Sequence, residues 1–197
     1  RLIQLAARNA ENGLNDLTTA AATESDMLAR LQKRLRLGRL PARIECFDNS
    51  NISGRDPVAG MVVFKNGKPH KSSYRKYKIR TVPEQDDYAY MAEVLKRRYS
   101  KGKSAAFPDL LMVDGGKGQL SIAVSVINAL ELEGAFEIIG IAKKDEKKGE
   151  DRDKIYKPGR ANPVNFGRET DLLFFLQRIR DEAHRFAITF HRKRRAK

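Results

Sequence analysis

Cysteine occurs once in the 197 residues, at Cys46, and tryptophan not at all. One thiol inside an apolar run leaves neither an internal disulfide nor a thiolate metal cluster to build, and it fits a reducing cytoplasm. Apolar runs are short as well. None approaches the ~20 residues that a membrane-spanning helix requires, and no basic helix shows a clean apolar face flanked by aromatics that would rest on a membrane surface. Negative charge is scarce: 25 acidic residues stand against 39 basic ones, for a formal net charge of +14. Such an excess points to a polyanionic partner, nucleic acid first. The chain has no initiator Met and no signal-peptide pattern, and it opens in helical character, so a piece of something longer is expected. Its length suits one main core.

Apolar residues in the first part recur at three- and four-residue spacing (Leu2, Ala6, Ala10, Leu14, Leu17, then Leu28, Leu31, Leu35). This predicts a helical lead-in over residues 1–40, in two pieces or one imperfect one, which packs on or leads into a domain over 41–197. Pro41 helps to end it. Arg43 to Asp48 reads as a strand that stops in the polar turn Asn49-Ser50-Asn51. Val58 to Phe64 is a second strand, and Asn66-Gly67 is a two-residue hairpin signal leading to a third around Ser72 to Ile79. Asp86-Asp87 begins a helix whose predicted face is Tyr88, Met91, Val94, Leu95 and Tyr99.

The stretch FPDLLMVDGGKGQL, Phe107 to Leu120, organises the rest. Leu110 to Val113 is apolar at consecutive positions, as a strand covered on both faces is, and Asp114 stands at its carboxyl end before the glycines. A helix marked by Ile122, Val126, Ala129 and Leu130 follows, then a buried strand Glu137 to Ala142 and a charged segment over 144–160 that reads as a mobile loop or exposed hairpin. The last helix starts near Glu169, carries Leu172, Leu173, Leu176, Ile179, Ala183, Phe186, Ala187 and Phe190 on its apolar side, and ends in the basic run Arg192 to Lys197. Three meandering strands followed by alternating helix and strand is the order of a ribonuclease H-like α/β fold, a mixed sheet flanked by helices whose first and fourth strands are adjacent and parallel. Asp48 and Asp114 would then end side by side, in the crevice where open α/β sheets meet their ligands.

Two ionised carboxylates that close together repel unless one takes a proton or a cation fills the gap. Oxygen ligands without thiolates suit a hard divalent ion, Mg²⁺ or Mn²⁺, which would equip the site for phosphodiester hydrolysis. His184, off the apolar stripe of the last helix, is the candidate third ligand or base. Simpler roles exist for each residue: an Asp before two glycines serves turns, Asp48 suits an Asx-turn with Ser50, and a helix histidine often only faces solvent. Lys117 in Gly-Gly-Lys-Gly fits a phosphate anchor, but the spacing is not that of a Walker A loop.

IECFDNSN at 44–51, DDYAYMAEVLKRRY at 86–99, PDLLMVDGGKGQL at 108–120 and QRIRDEAHRFAITFHRKRR at 177–195 resemble the carboxyl-terminal half of the UvrC family, which belongs to the excinuclease of bacterial nucleotide excision repair. The resemblance covers almost the whole chain. It implies a divalent-metal-dependent endonuclease domain acting on the 5′ side of a lesion in double-stranded DNA, with Asp48, Asp114 and His184 as the metal and catalytic set. It implies phosphate contacts for Lys117 and Lys143 and backbone contacts for Arg178, Arg180 and Arg185. UvrB is the partner expected for the full-length protein, through a segment outside this chain. Members of the family often carry His where this chain has Asn51. Two alternatives stand beside this expectation: another ribonuclease H-like nuclease of endonuclease V type, and a non-catalytic DNA-binding module in which the carboxylates only cap and turn.

Overall fold

The computed structural model describes residues 22–50, 57–80, 82, 86–100 and 106–195, and for Ser50 and residues 190–195 the backbone alone. The helical pieces expected before residue 22, the position Asn51 and the side chains of Phe190, His191 and the basic end lie outside the described residues. Among the described residues there are seven strands: β1 Arg43–Ser50, β2 Val58–Lys65, β3 Lys68–Pro69, β4 Arg75–Lys78, β5 Leu110–Asp114, β6 Glu137–Ala142 and β7 Lys154–Tyr156. The helices are α1 (22–35), α2 Asp87–Tyr99, α3 Lys117–Ala129 and α4 Thr170–Arg195. Strands follow the order β3-β2-β1-β5-β6-β7, with β4 also pairing with β2.

At the centre, β1 lies parallel to β5, with Ile44 opposite Leu110 and Phe47 opposite Val113. This is the adjacency a ribonuclease H-like sheet requires. The expected turn at Asn49-Ser50 is instead strand: both residues stay in β1, opposite Ala59 and Val58 of β2. Neighbouring backbone overrides their turn preference, because each is held extended by the antiparallel partner. The ladder to β5 stops at Phe47, so Asp48 sits where parallel pairing ends and antiparallel pairing continues.

The third strand, expected around Ser72 to Ile79, is confined to β4, and a separate short strand β3 precedes it. Asn66 (φ 48°) and Gly67 (φ 81°) make the tight hairpin turn their sequence signals, but β3 lasts two residues before a 3-10 turn at Lys71–Ser73. His70 Nδ1 and Ser73 Oγ, 2.8 Å apart, brace that turn locally, and β4 then resumes pairing with β2. The charged segment after β6 is a hairpin return: β7 runs antiparallel to β6, with Ile141 opposite Ile155.

Helix phases differ in detail from the sequence reading. The Asp86 side chain caps α2 by accepting from the Tyr88 and Ala89 amides. Tyr88 is exposed, and Tyr90 joins Met91, Val94, Leu95 and Tyr99 on the buried face. In α3 the buried face is Leu120, Ala123, Val126 and Ile127, leaving Ile122 half-buried and Ala129 exposed. That helix starts at Lys117 directly after the glycines, so its inward face is set by the turn from β5.

Two helices cover one face of the sheet. Leu28, Leu31 and Leu35 of α1 are buried in the main core, and Arg30 binds Asp171 (2.7 and 2.8 Å) while Arg34 pairs with Glu169 at the start of α4. Leu172, Leu173, Phe175, Leu176, Ile179, Ala183 and Ala187 form the buried stripe of α4 over β1 and β2. The contact is close at Gly60, where an added Cβ would lie 3.2 Å from Ala187 and from Phe186. Gly60→Ala is therefore expected to cost about 1–3 kcal/mol through overpacking. A urea midpoint shifted down with unchanged slope is the measurement that checks it.

Candidate metal centre

Asp48 and Asp114 reach the same place by different routes. Asp48 points from β1 to the face covered by α4, while Asp114 is the last residue of β5. Beyond it Gly115 turns at φ 154°, a conformation that needs glycine, and its amide donates to the Ile141 carbonyl at 2.9 Å. The parallel register places the two carboxylates side by side at the carboxyl edge of the sheet. His184 comes from α4, with Nδ1 3.0 Å from Asp48 Oδ2. One ligand atom from each of Asp48, Asp114 and His184 lies within 4.8 Å of the others. Asp48 is buried, and the His184 side chain is 59% exposed, so one flank of the group opens to solvent.

The electrostatics are those of a crowded carboxylate pair. Burial pushes the Asp114 carboxyl up to about 7, and the charge and hydrogen bond of Asp48 push the same way, against weaker opposition from Arg180 and His184. A divalent ion answers this arrangement: hard oxygen donors, one imidazole and a repulsion that a cation relieves. The donor set present therefore fits the expected metal.

The cations named from the sequence divide by location. Lys117 heads α3, exposed, with Nζ 5.5 Å from the centre of the Tyr156 ring, and Lys143 is exposed just past β6. Both stand at the carboxyl edge with Asp114. Arg178 is elsewhere: it donates to the Gly67 carbonyl at 3.0 Å and lies over Phe64 and Phe175, at the hairpin end of β2. Arg185 is bound to Glu182 at 2.7 and 2.8 Å, and Glu182 also accepts from Tyr74. Arg180 is 12% exposed, with its donors on Asp181 and Asp153, so it acts on the site as a fixed internal charge.

No local sequence pattern marks Asp153. It is buried and accepts from the Lys144 amide (2.9 Å), Gln177 Nε2 (2.9 Å) and Arg180, which pins the β6–β7 hairpin to α4. Its signal was hidden in a charged stretch whose composition is that of a solvated loop. Among the described residues no helix is long and apolar enough to cross a membrane.

Comparison with known proteins identifies the family. The family model of the UvrC RNase H endonuclease domain matches residues 32–188. The UvrABC system protein C of Desulfatibacillum aliphaticivorans is 57% identical over 197 residues, covering 100% of this chain and 33% of that protein. The protein of the same name from Desulforapulum autotrophicum is 55% identical, again over the whole chain and 32% of its own length. The chain thus spans about a third of the curated relatives it matches. Among solved structures, human ENDOV shares 16% identity at a TM-score of 0.38, over 62% of this chain and 59% of that one. Endonuclease V of Streptomyces avermitilis shares 17% at 0.37, over 64% and 57%. On the family match and these sequence identities, the chain belongs to the UvrC RNase H endonuclease domain family.

Proposed function

We propose that this domain hydrolyses a phosphodiester of double-stranded DNA on the 5′ side of a lesion during nucleotide excision repair, using Mg²⁺ or Mn²⁺. The observation that carries the reading is the cluster of Asp48, Asp114 and His184 at the ends of two adjacent parallel strands. Asp48 and Asp114 would hold the ion. When bound, it supplies Lewis-acid polarisation of the phosphodiester and activation of the attacking water. Asp48 fixes the His184 ring through Nδ1 and leaves the other ring nitrogen to take or give a proton at the solvent side. Lys117 and Lys143 supply positive charge beside Asp114, where a phosphate would rest. Lesion recognition and UvrB contact belong to the full-length protein.

The test is an anomalous-scattering map from a crystal soaked in Mn²⁺. A peak about 2.1 Å from oxygens of both Asp48 and Asp114 supports the reading. Carboxylates that stay empty at saturating Mn²⁺ would leave the DNA-binding module as the better account. His184→Ala is expected to slow strand cleavage by roughly 10²–10⁴-fold. Mn²⁺ titration of that variant separates the two roles: affinity held within about tenfold marks a proton carrier, and a larger loss marks a ligand.

A further inference from the structure

The site accounts for one DNA strand, yet a second concentration of positive charge lies on the other side of α4. Residues 71–80, KSSYRKYKIR, hold Lys71, Arg75, Lys76, Lys78 and Arg80 and no acidic residue. Their core is β4, paired with β2 alone among the described strands.

Register fixes where β4 stands relative to the carboxylates. Gly60 pairs with Asp48 on one side and with Lys76 on the other, so one row across the sheet runs Lys76, Gly60, Asp48. Residues directly opposite in neighbouring strands share a face, which puts Lys76 and Asp48 on the α4 side, two strand spacings or about 10 Å apart. Lys76 Nζ lies 4.8 Å from the centre of the Phe186 ring of α4, as that placement requires. Lys78 shares the same face, opposite Val58, which in turn faces Ser50. It therefore marks the same edge of the sheet as the carboxylates, and Arg80 lies beyond it.

α4 runs between these two groups. Ala187 and Phe186 sit on Gly60, with His184 turned towards Asp48 and Phe186 towards Lys76 and Tyr74, whose ring is 5.1 Å from that of Phe186. From Ala187 the helix continues to Arg195, about 12 Å at 1.5 Å per residue, while the described parts of β1 and β2 run about two residues past Asp48 and Gly60. Among the described residues the end of α4 thus reaches past β1 and β2, and its sequence there is HRKRR. A helix about 10–12 Å across matches a DNA major groove about 12 Å wide.

We propose that the domain seats duplex DNA astride the end of α4, with the strand to be cut at Asp48, Asp114 and His184 and the complementary strand's phosphates on Lys76, Lys78 and Arg80. This rests on the nuclease reading above, and it assigns the β4 edge to the uncut strand. The bland account of a lysine-rich edge strand is protection against edge-to-edge association.

Filter binding in metal-free buffer decides between them, using duplex and single-stranded DNA of one sequence. The triple variant K76A/K78A/R80A is compared with K33A/R36A/R160A, an equal charge change in a cleft at the opposite end of the sheet. The β4 variant is expected to lose tenfold or more in duplex affinity at moderate salt and about 2–3 units of salt slope, with single-strand affinity held within about threefold. The control should stay within about threefold on both. Placing arginine at 76 and 78 (K76R/K78R/R80A) should recover most of the slope, which a folding defect would not allow. Equal losses on single strands, equal losses in the control, or unchanged duplex affinity with new self-association overturn the proposal. The nuclease reading fails separately, if Asp114→Asn leaves metal-dependent cutting intact, because the binding comparison needs no cleavage.

Discussion

Asp114→Asn is expected to lower Mn²⁺ affinity by at least about 100-fold, abolish cutting and, in the same molecule, make the metal-free chain more stable at pH 8. The last effect follows from the direction of the shift. Asp114 titrates near 3.8 when unfolded and about 7 when folded, because burial and Asp48 both disfavour its charge. The folded state therefore holds the proton more tightly. The group costs nothing below pH 3.8, costs progressively more as the pH rises towards 7, and exacts its full penalty above 7, where both states are ionised. An Asn at 114 removes that penalty, and the expected gain at pH 8 is on the order of 1–3 kcal/mol, vanishing near pH 4. Melting curves at pH 4, 6 and 8 with and without Mn²⁺ check it. A variant less stable than the parent at pH 8 would mean that the carboxylate pair is not strained. By the same linkage, metal binding to the parent should tighten from pH 5 to 7 and release a proton.

Glu45→Ala is expected to be the most damaging single change away from the site. Glu45 is fully buried on the α2 side of β1. It accepts from Arg43 (2.7 and 3.1 Å), from Arg98 (2.8 and 3.2 Å) and from the Tyr99 hydroxyl (2.9 Å). Removing the carboxylate strands the Arg98 guanidinium, whose side chain is 8% exposed, without its counter-charge. Breaking a buried pair from one side costs about 3–5 kcal/mol, or roughly 10 °C in Tm for a domain of this size. Denaturant melts of Glu45→Ala and Glu45→Gln measure it. Because Glu45 lies three residues before Asp48 on the same strand, loosened β1 packing should also weaken Mn²⁺ binding.

Much of this was readable from residues alone, for reasons that differ by element. The β5 strand announces itself because burial on both faces erases alternation, leaving Leu110 to Val113 uniformly apolar before Asp114. The hairpin at Asn66-Gly67 follows from backbone chemistry that few other dipeptides satisfy. His184 stood out because α4 is long and strongly periodic, so a residue off its stripe is easily seen. Long-range decisions were harder to read. Asn49-Ser50 reads as a turn until β2 is there to pair with it, and the confinement of the third strand to β4 depends on a local brace at His70 and Ser73. Tyr88 fits the helical period of α2 but falls on its solvent side. Asp153 and the internal role of Arg180 depend on each other across 27 positions, a relation that no local pattern encodes.

The attachment of α1 to α4 has a mechanical consequence. Arg30 and Arg34 clamp α1 to the start of the helix that, four turns later, holds His184 against Asp48. Leucines of both helices share one core, so the pair resists separation along its length. α1 is therefore attached to one end of a helix whose other end carries the histidine. A rotation of α4 about its axis would therefore change two things at once, the ion pairs to α1 at its start and the 3.0 Å contact between His184 and Asp48.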